Sequence, residues 1–423
     1  MTTVGRKLLS AVLVNPDKSK YLKLKLYPEL FKENEGELYE FIQDHLINHG
    51  ELPTVDTVEA KLGDVLAEAK EPVSYYLQEV EKRYLFTKLK VAVLNSQEAL
   101  KNDNADGAHT LLCDLVTELH QVRNRSKLFD FREAAELIHA EYKKQQKSHV
   151  DDDGTYFGWP TLDGMSAGLK GGDFVSINGR PSMGKTFMLL YSAHYGWRKS
   201  KSTPLFVSME MNATLINQRL AAMDVHRPLT QLMKGTVSTA VYKKMLQLLH
   251  ENQGMKHPFW VIDANMAATP EDILANCRQL RPTSVWIDGG YLLKNKNPRM
   301  GKFERIGENA EFIKQRIASD LDIPTIVSYQ LNREAVKKNK KDKEAKQTPG
   351  LEDIYGNDAI GQLSSVALGL FQEESVETKI GRSIDIMKGR TGEVGRFKIN
   401  WNFITMDFTE MLAEDKKELQ YMG

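Results

Sequence analysis

Apolar residues recur three and four positions apart through most of the first 120 residues, in ELYEFIQDHLINHG, EPVSYYLQEVEKRYLFTKLKVAVLNSQEAL and DGAHTLLCDLVTELHQV. That spacing gives each segment one apolar stripe and predicts helices, with Gly50, Pro53 and Gly63 falling between the runs. Near the N-terminus, LLSAVLV follows Arg6 and Lys7 and superficially has the layout of a secretory leader. It meets Asn15-Pro16-Asp17 with no small-residue cleavage pattern, so it reads as one more amphipathic helix. No chemical motif lies in this region, and residues 1–120 are expected to form a helical assembly or partner domain. A linker with a short helix, FREAAELIHAEY, and a polar stretch, KKQQKSHVDDDG, is expected over residues 121–153.

After Gly158 the pattern changes. Short β-rich runs alternate with helical ones: DFVSIN, PLFVSME, FWVIDA, SVWIDG, PTIVSYQ, VALGLFQ, SIDIMKG and RFKINW. Alternation of this kind predicts an α/β domain over residues 154–423, with helices packed on a mainly parallel sheet and the closely spaced last runs added antiparallel. In an open sheet of this class a ligand sits beyond the carboxyl ends of the strands.

Composition adjusts this picture in three ways. A chain of 423 residues with 41% apolar and 27% charged residues is long enough for two domains with buried cores. Lys and Arg balance Asp and Glu at 57 each, so a bulk electrostatic grip on nucleic acid is not indicated and any contact must come from local loops. The two cysteines, Cys113 and Cys277, form no CxxC pair, which points to a reducing, cytoplasmic compartment and away from a zinc module. No stretch approaches the roughly 20 apolar residues of a membrane span.

The chemistry concentrates at Gly179-Arg180-Pro181-Ser182-Met183-Gly184-Lys185-Thr186, which fits G-x-x-x-x-G-K-[ST] between a strand and a helix. Gly179 and Gly184 are expected to let the backbone curl so that N–H groups face phosphate oxygens. The helix dipole adds to that field, Lys185 supplies a point charge, and the Thr186 hydroxyl can ligate Mg²⁺. Hydrolysis of a nucleoside triphosphate such as ATP needs a carboxylate for the water and another near the metal. Glu210 follows PLFVSM and Asp288 ends SVWID, both at strand ends; Gln330, ending PTIVSYQ, is a third polar group there, able to bond the γ-phosphate or its water.

With these residues in place, the segment from about Gly158 to Trp401 resembles the replicative DnaB-type hexameric helicases with a RecA-like motor. The resemblance rests on TLDGMSAGLKGGDF leading into NGRPSMGKT, then SMEM with NQRLAA, WID, SYQLNRE, DAIGQLSSVALGL and MKGRTGEVG. It implies an ATP-dependent helicase, a homo-hexameric ring moving 5′ to 3′ on single-stranded DNA. Glu210 is implied as general base, Asp288 at the metal, Gln330 as γ-phosphate sensor and Gln362 facing the nucleotide site. Lys388 and Arg390 of MKGRTG match basic residues inserted into a neighbouring subunit's site. One departure stands out: after Asp288 the chain reads GGYLL, where the bacterial pattern has a bulky aromatic next to the aspartate. QLSSVALGL is closer to bacteriophage relatives than to host ones. Primase, lacking a fused zinc-binding counterpart here, and a helicase loader are expected as separate partners.

Two lysine-rich segments leave the strand ends and are candidates for DNA contact. Lys294, Lys296, Arg299 and Lys302 follow Asp288; Arg333, Lys337 and Lys338 follow Gln330. Tyr355, Gly356 and Asn357 lie in LEDIYGNDAIGQ, which resembles the segment tracking phosphates of one strand. Such contacts carry no base information, as a translocating motor requires. Two other readings stay open on the sequence: a RecA-type recombinase or non-unwinding regulatory ATPase, and a non-catalytic assembly factor that uses nucleotide to order its helical domain.

Overall fold

The computed structural model describes residues 3–63, 66–123, 131, 134–151, 155–297, 299–331, 358–371 and 381–411. The chain separates into two compact units, residues 1–141 and 142–423.

In the first unit the helices are α1 (Val4–Val14), α2 (Lys18–Lys23), α3 (Glu33–His49), α4 (Val55–Leu62), α5 (Val73–Lys101) and α6 (Ala105–Arg123). The leader-like run is α1, an amphipathic helix whose Leu8, Leu9, Val12 and Leu13 are buried. Leu9, Val12 and Leu13 pack with Leu38, Tyr39 and Ile42 of α3 and Val58 of α4. Leu8 joins Tyr76, Val80 and Tyr84 of α5. One buried carboxylate, Glu35, ties these helices together: it accepts from both terminal nitrogens of Arg83, at 2.7 and 2.6 Å, and from the N–H groups of Gly5 and Lys32. A Cβ at position 5 would stand 2.4 Å from that carboxyl, so only glycine admits the approach.

The next helix, α7 (Ala134–Asp151), continues through most of the polar stretch that reads as a linker in the sequence. Lys and Gln are good helix formers, so the stretch continues as helix and not as irregular chain.

The second unit contains α8 (Pro160–Ser166), β1 (Phe174–Gly179), α9 (Lys185–Lys199), β2 (Pro204–Ser208), α10 (Ala213–Val225), α11 (Leu229–Lys234), α12 (Thr239–Gln253), β3 (Trp260–Asp263), α13 (Pro270–Leu280) and β4 (Ser284–Asp288). There follow α14 (Lys302–Phe312), a π-helical extension to Ser319, β5 (Thr325–Gln330), α15 (Asp358–Leu363), β6 (Val366–Phe371), β7 (Gly381–Lys388) and β8 (Gly395–Asn400). Each of the eight β-rich runs is a strand. They form one sheet in the order β3-β2-β4-β5-β1-β6-β7-β8, parallel up to β6, with β7 and β8 added antiparallel.

Helices cover both faces, which is why the central strands are almost continuously apolar. On one face Val175, Ile177 and Phe206 pack with Met188 and Leu189 of α9 and Ile216 of α10. On the other, Phe174, Val207 and Ile287 meet Ile273 of α13, Ile306 of α14 and Ile313 beyond it.

This topology brings the carboxyl ends of β2, β4, β5 and β1 side by side: Ser208 pairs with Asp288, and Gly179 with Gln330. The direction of β7 has the opposite consequence. Ser383 pairs with Phe371, but Lys388 pairs with Ala367, at the level where β1 and β6 begin.

Candidate functional site

The loop from Gly179 to Lys185 joins β1 to α9 by two left-handed residues, Ser182 (φ 63°) and Gly184 (φ 98°). Gly179 does not share that conformation; it stays in the strand, where a Cβ would meet its neighbours no closer than 3.4 Å. The curl expected of two glycines therefore comes from Ser182 and Gly184. At Gly184 a Cβ would lie 2.1 Å from the indole of Trp401, which is packed with Phe187, Phe403 and Phe408 beneath the loop. Met183 N–H donates to the Arg180 carbonyl at 3.3 Å, and Pro181 and Ser182 are exposed. Lys185 Nζ donates to the carbonyls of Gly179 and Arg180, each at 3.0 Å. Burial lowers the pKa of this ammonium, against the opposing pull of Asp288 and Glu210.

Asp288, 4% exposed, lies beside the start of α9. Its Oδ2 accepts from Thr186 Oγ1 at 2.7 Å and its Oδ1 from Ser328 Oγ at 3.0 Å. Ser328 also accepts from the N–H of Gly289 at 2.8 Å, so β5 braces the aspartate from the next strand. Burial pushes the Asp288 carboxyl up, and the two hydroxyl bonds pull it down. A hydroxyl and a carboxylate set side by side fit Mg²⁺, a hard cation that keeps waters and takes substrate phosphate oxygens as further ligands. Among the described residues no group of three or more His, Cys, Asp or Glu could hold a metal.

Glu210 stands two residues past β2, its carboxylate exposed. Its Oε1 accepts from the hydroxyl of Tyr291, and the Gln330 side chain lies near the same hydroxyl. Tyr291 is buried in a 3₁₀ turn, Gly290–Leu292, directly after the strand that carries Asp288. Burial raises its pKa, and the bond to Glu210 raises it further. Sequence reasoning missed Tyr291 as a site residue; its one signal was the GGYLL departure, an aromatic displaced along the chain from the aspartate. Arg219 was missed too. It stacks on Phe187 at 4.3 Å, its pKa lowered by burial and raised by Asp288, and its buried Nε has no hydrogen-bond partner among the described residues.

Lys185, Thr186, Glu210, Asp288 and Gln330 thus gather at one end of the sheet. Lys388, Arg390 and Gln362 do not join them. Lys388 Nζ donates to the carbonyls of Gly361 and Gln362 at 3.0 Å each, and the Gln362 side chain is exposed. Arg390 donates to both carboxylate oxygens of Asp173, just before β1, and to the carbonyls of Ser166 and Gly168. The register sets Lys388 level with Ser176, three residues of strand or roughly 10 Å before Gly179. Gln362 accordingly does not face the loop of its own chain.

Of the candidate DNA contacts, Lys294, Lys296 and Arg299 are exposed on the segment beyond β4. Lys296 pairs with Glu271 at 3.6 Å, and Lys302 begins α14 instead of lying in a loop. Arg333, Lys337, Lys338, Tyr355, Gly356 and Asn357 lie outside the described residues. Among the described residues no helix is long and apolar enough to cross a membrane.

Comparison with known proteins agrees with this geometry. Residues 154–410 match the DnaB-like helicase C-terminal domain family. The chain is 26% identical over 323 residues to the replicative DNA helicase DnaB of Treponema pallidum, spanning 74% of this chain and 69% of that one. It is 25% identical over 339 residues to the replicative DNA helicase DnaC of Bacillus subtilis, spanning 76% and 71%. A solved DnaB-like replicative helicase, described with its interactions with primase, superposes with a TM-score of 0.65 over 97% of this chain and 99% of that one, at 20% identity. With the phosphate loop and both carboxylates in position, the matched segment places the chain in the DnaB-like helicase family, as an ATP-dependent replicative DNA helicase.

Proposed function

We propose that the protein works as a ring of six copies around single-stranded DNA, moving 5′ to 3′, with each ATP held between two neighbours. On one side Lys185 and the Gly179–Thr186 loop bind the phosphates, and Thr186 and Asp288 hold Mg²⁺. Mg²⁺, when bound, offsets the negative charge of the phosphoryl group being transferred. Glu210 takes the proton of the attacking water and Gln330 senses the γ-phosphate. The neighbour supplies Lys388 and Arg390, whose positive charge stabilises the transition state and makes turnover depend on assembly. Exposed Lys294 and Arg299, with the lysines beyond Gln330, hold DNA phosphates in a sequence-independent way. The helical first unit serves assembly and partner contact, and primase and a loader are separate proteins.

One observation carries this reading: Lys388 and Arg390 stand at the end of the sheet opposite their own phosphate loop. Within one chain they cannot reach it; in another copy they can. The test mixes two inactive variants. Arg390→Ala should bind nucleotide but lose DNA-stimulated hydrolysis, and Lys185→Ala should lose both. Mixed in equal amounts, they should regain activity, because about a quarter of the interfaces then join an intact loop to an intact arginine. A mixture as inactive as its parts, or an Arg390→Ala protein at full turnover, rejects the shared site.

A further inference from the structure

We propose that Tyr291 is a positioning residue for hydrolysis, its hydroxyl holding one carboxylate oxygen of Glu210 by a hydrogen bond. The inference rests on the reading of Glu210 as general base and adds a residue that the sequence motifs do not contain.

A phenol has one proton to give and lone pairs to accept with. The Tyr291 proton is directed at Oε1 of Glu210, an ionised carboxylate that can only accept. That bond leaves Oε2 of Glu210 available to a water. An exposed glutamate has three rotatable side-chain bonds, and holding one oxygen removes much of that freedom before reaction.

The turn that carries Tyr291 is built for this placement. Gly289 has φ of 99°, a conformation that an L side chain rarely adopts. A Cβ at Gly290 would lie 2.3 Å from Val327 Cγ1, so the turn can lie against β5 only with glycine there. The two glycines bring the Tyr291 ring, 8% exposed, between the ends of β2 and β5. The departure at GGYLL thus becomes a device: the aromatic expected beside Asp288 sits farther along and serves the base.

The test is Tyr291→Phe in the full chain, assembled with single-stranded DNA, followed as steady-state turnover against ATP concentration. The ring is kept and one hydroxyl lost. We expect kcat to fall about tenfold or more, with KM and nucleotide affinity held within about twofold, because the bond orients a base and does not bind substrate. Should the variant melt lower, the split between kcat and KM still decides, since lost packing would weaken nucleotide binding as well. Tyr291→Phe combined with Glu210→Gln should be no worse than Glu210→Gln alone, as a positioning residue and the group it positions are not additive. Wild-type kcat in Tyr291→Phe, or a further full loss on top of Glu210→Gln, overturns the proposal. Glu210→Gln keeps the two claims apart: if it still turns over at full rate, the base assignment fails, whereas if it is inactive and Tyr291→Phe is normal, only the positioning role fails.

Discussion

Replacing Gly184 by alanine adds one methyl group at the point where the nucleotide loop is most constrained. Two costs follow from the structure. At φ of 98° an L side chain costs about 1–2 kcal/mol. The added Cβ would also lie 2.1 and 2.3 Å from Cζ2 and Cη2 of Trp401, an indole only 5% exposed, and relief of such overpacking costs about 1–3 kcal/mol. The total, about 2–5 kcal/mol, is below the roughly 5–15 kcal/mol that keeps a domain folded. The loop should therefore give way while the sheet survives. Gly184→Ala should bind a non-hydrolysable triphosphate between about thirtyfold and several thousandfold more weakly by calorimetry, with the far-ultraviolet circular dichroism unchanged. Trp401→Phe removes the far edge of the indole, the part that collides, and leaves the backbone cost. The double variant should recover at least about fivefold in affinity over Gly184→Ala alone. Wild-type affinity in the single variant would refute the reasoning, and a double variant no better than the single would remove Trp401 from it.

Two further outcomes are expected elsewhere. Burial alone would raise the Glu35 pKa, but bonds from Arg83 and the Lys32 N–H hold it at about 2, below its ordinary 4.5. Its stabilisation is therefore present above about pH 4.5 and fades as pH falls toward 2. Glu35→Gln should cost the helical unit about 3 kcal/mol at neutral pH and flatten its acid unfolding limb, and a limb like the wild type's would contradict this. Lys294→Ala and Arg299→Ala should each reduce the salt dependence of single-stranded DNA binding by about 0.7 in log–log slope, and Lys296→Ala, paired with Glu271, by less. Equal slopes for all three variants would mean that this segment does not touch phosphates.

The strands were legible in the sequence because a strand covered by helices on both faces must be a short apolar run, and all eight such runs are strands. The loop from Gly179 to Thr186 and the strand-end residues Asp288 and Gln330 were legible for a related reason, since position at the end of a parallel strand is readable from the chain. What was not legible depends on distance in sequence. Tyr291 meets Glu210 across 81 residues, and only the turn geometry of Gly289 and Gly290 brings them together. Gln362 was placed at the near site only by the resemblance; the register of β6 and β7 puts it at the other end. Polar Lys and Gln concealed most of α7, because solvation and disorder share a composition.

The placement of Arg390 and Lys185 at opposite ends of one sheet also dictates the handedness of association. A twofold pair would complete both clefts at once and stop at two copies, whereas under the proposed ring each copy offers one end to the neighbour on either side, and such a head-to-tail contact, repeated, has a front and a back. An assembly built this way presents different faces to the two directions along a threaded strand. Under that proposal the direction of travel would trace back to the antiparallel course of β7 between β6 and β8.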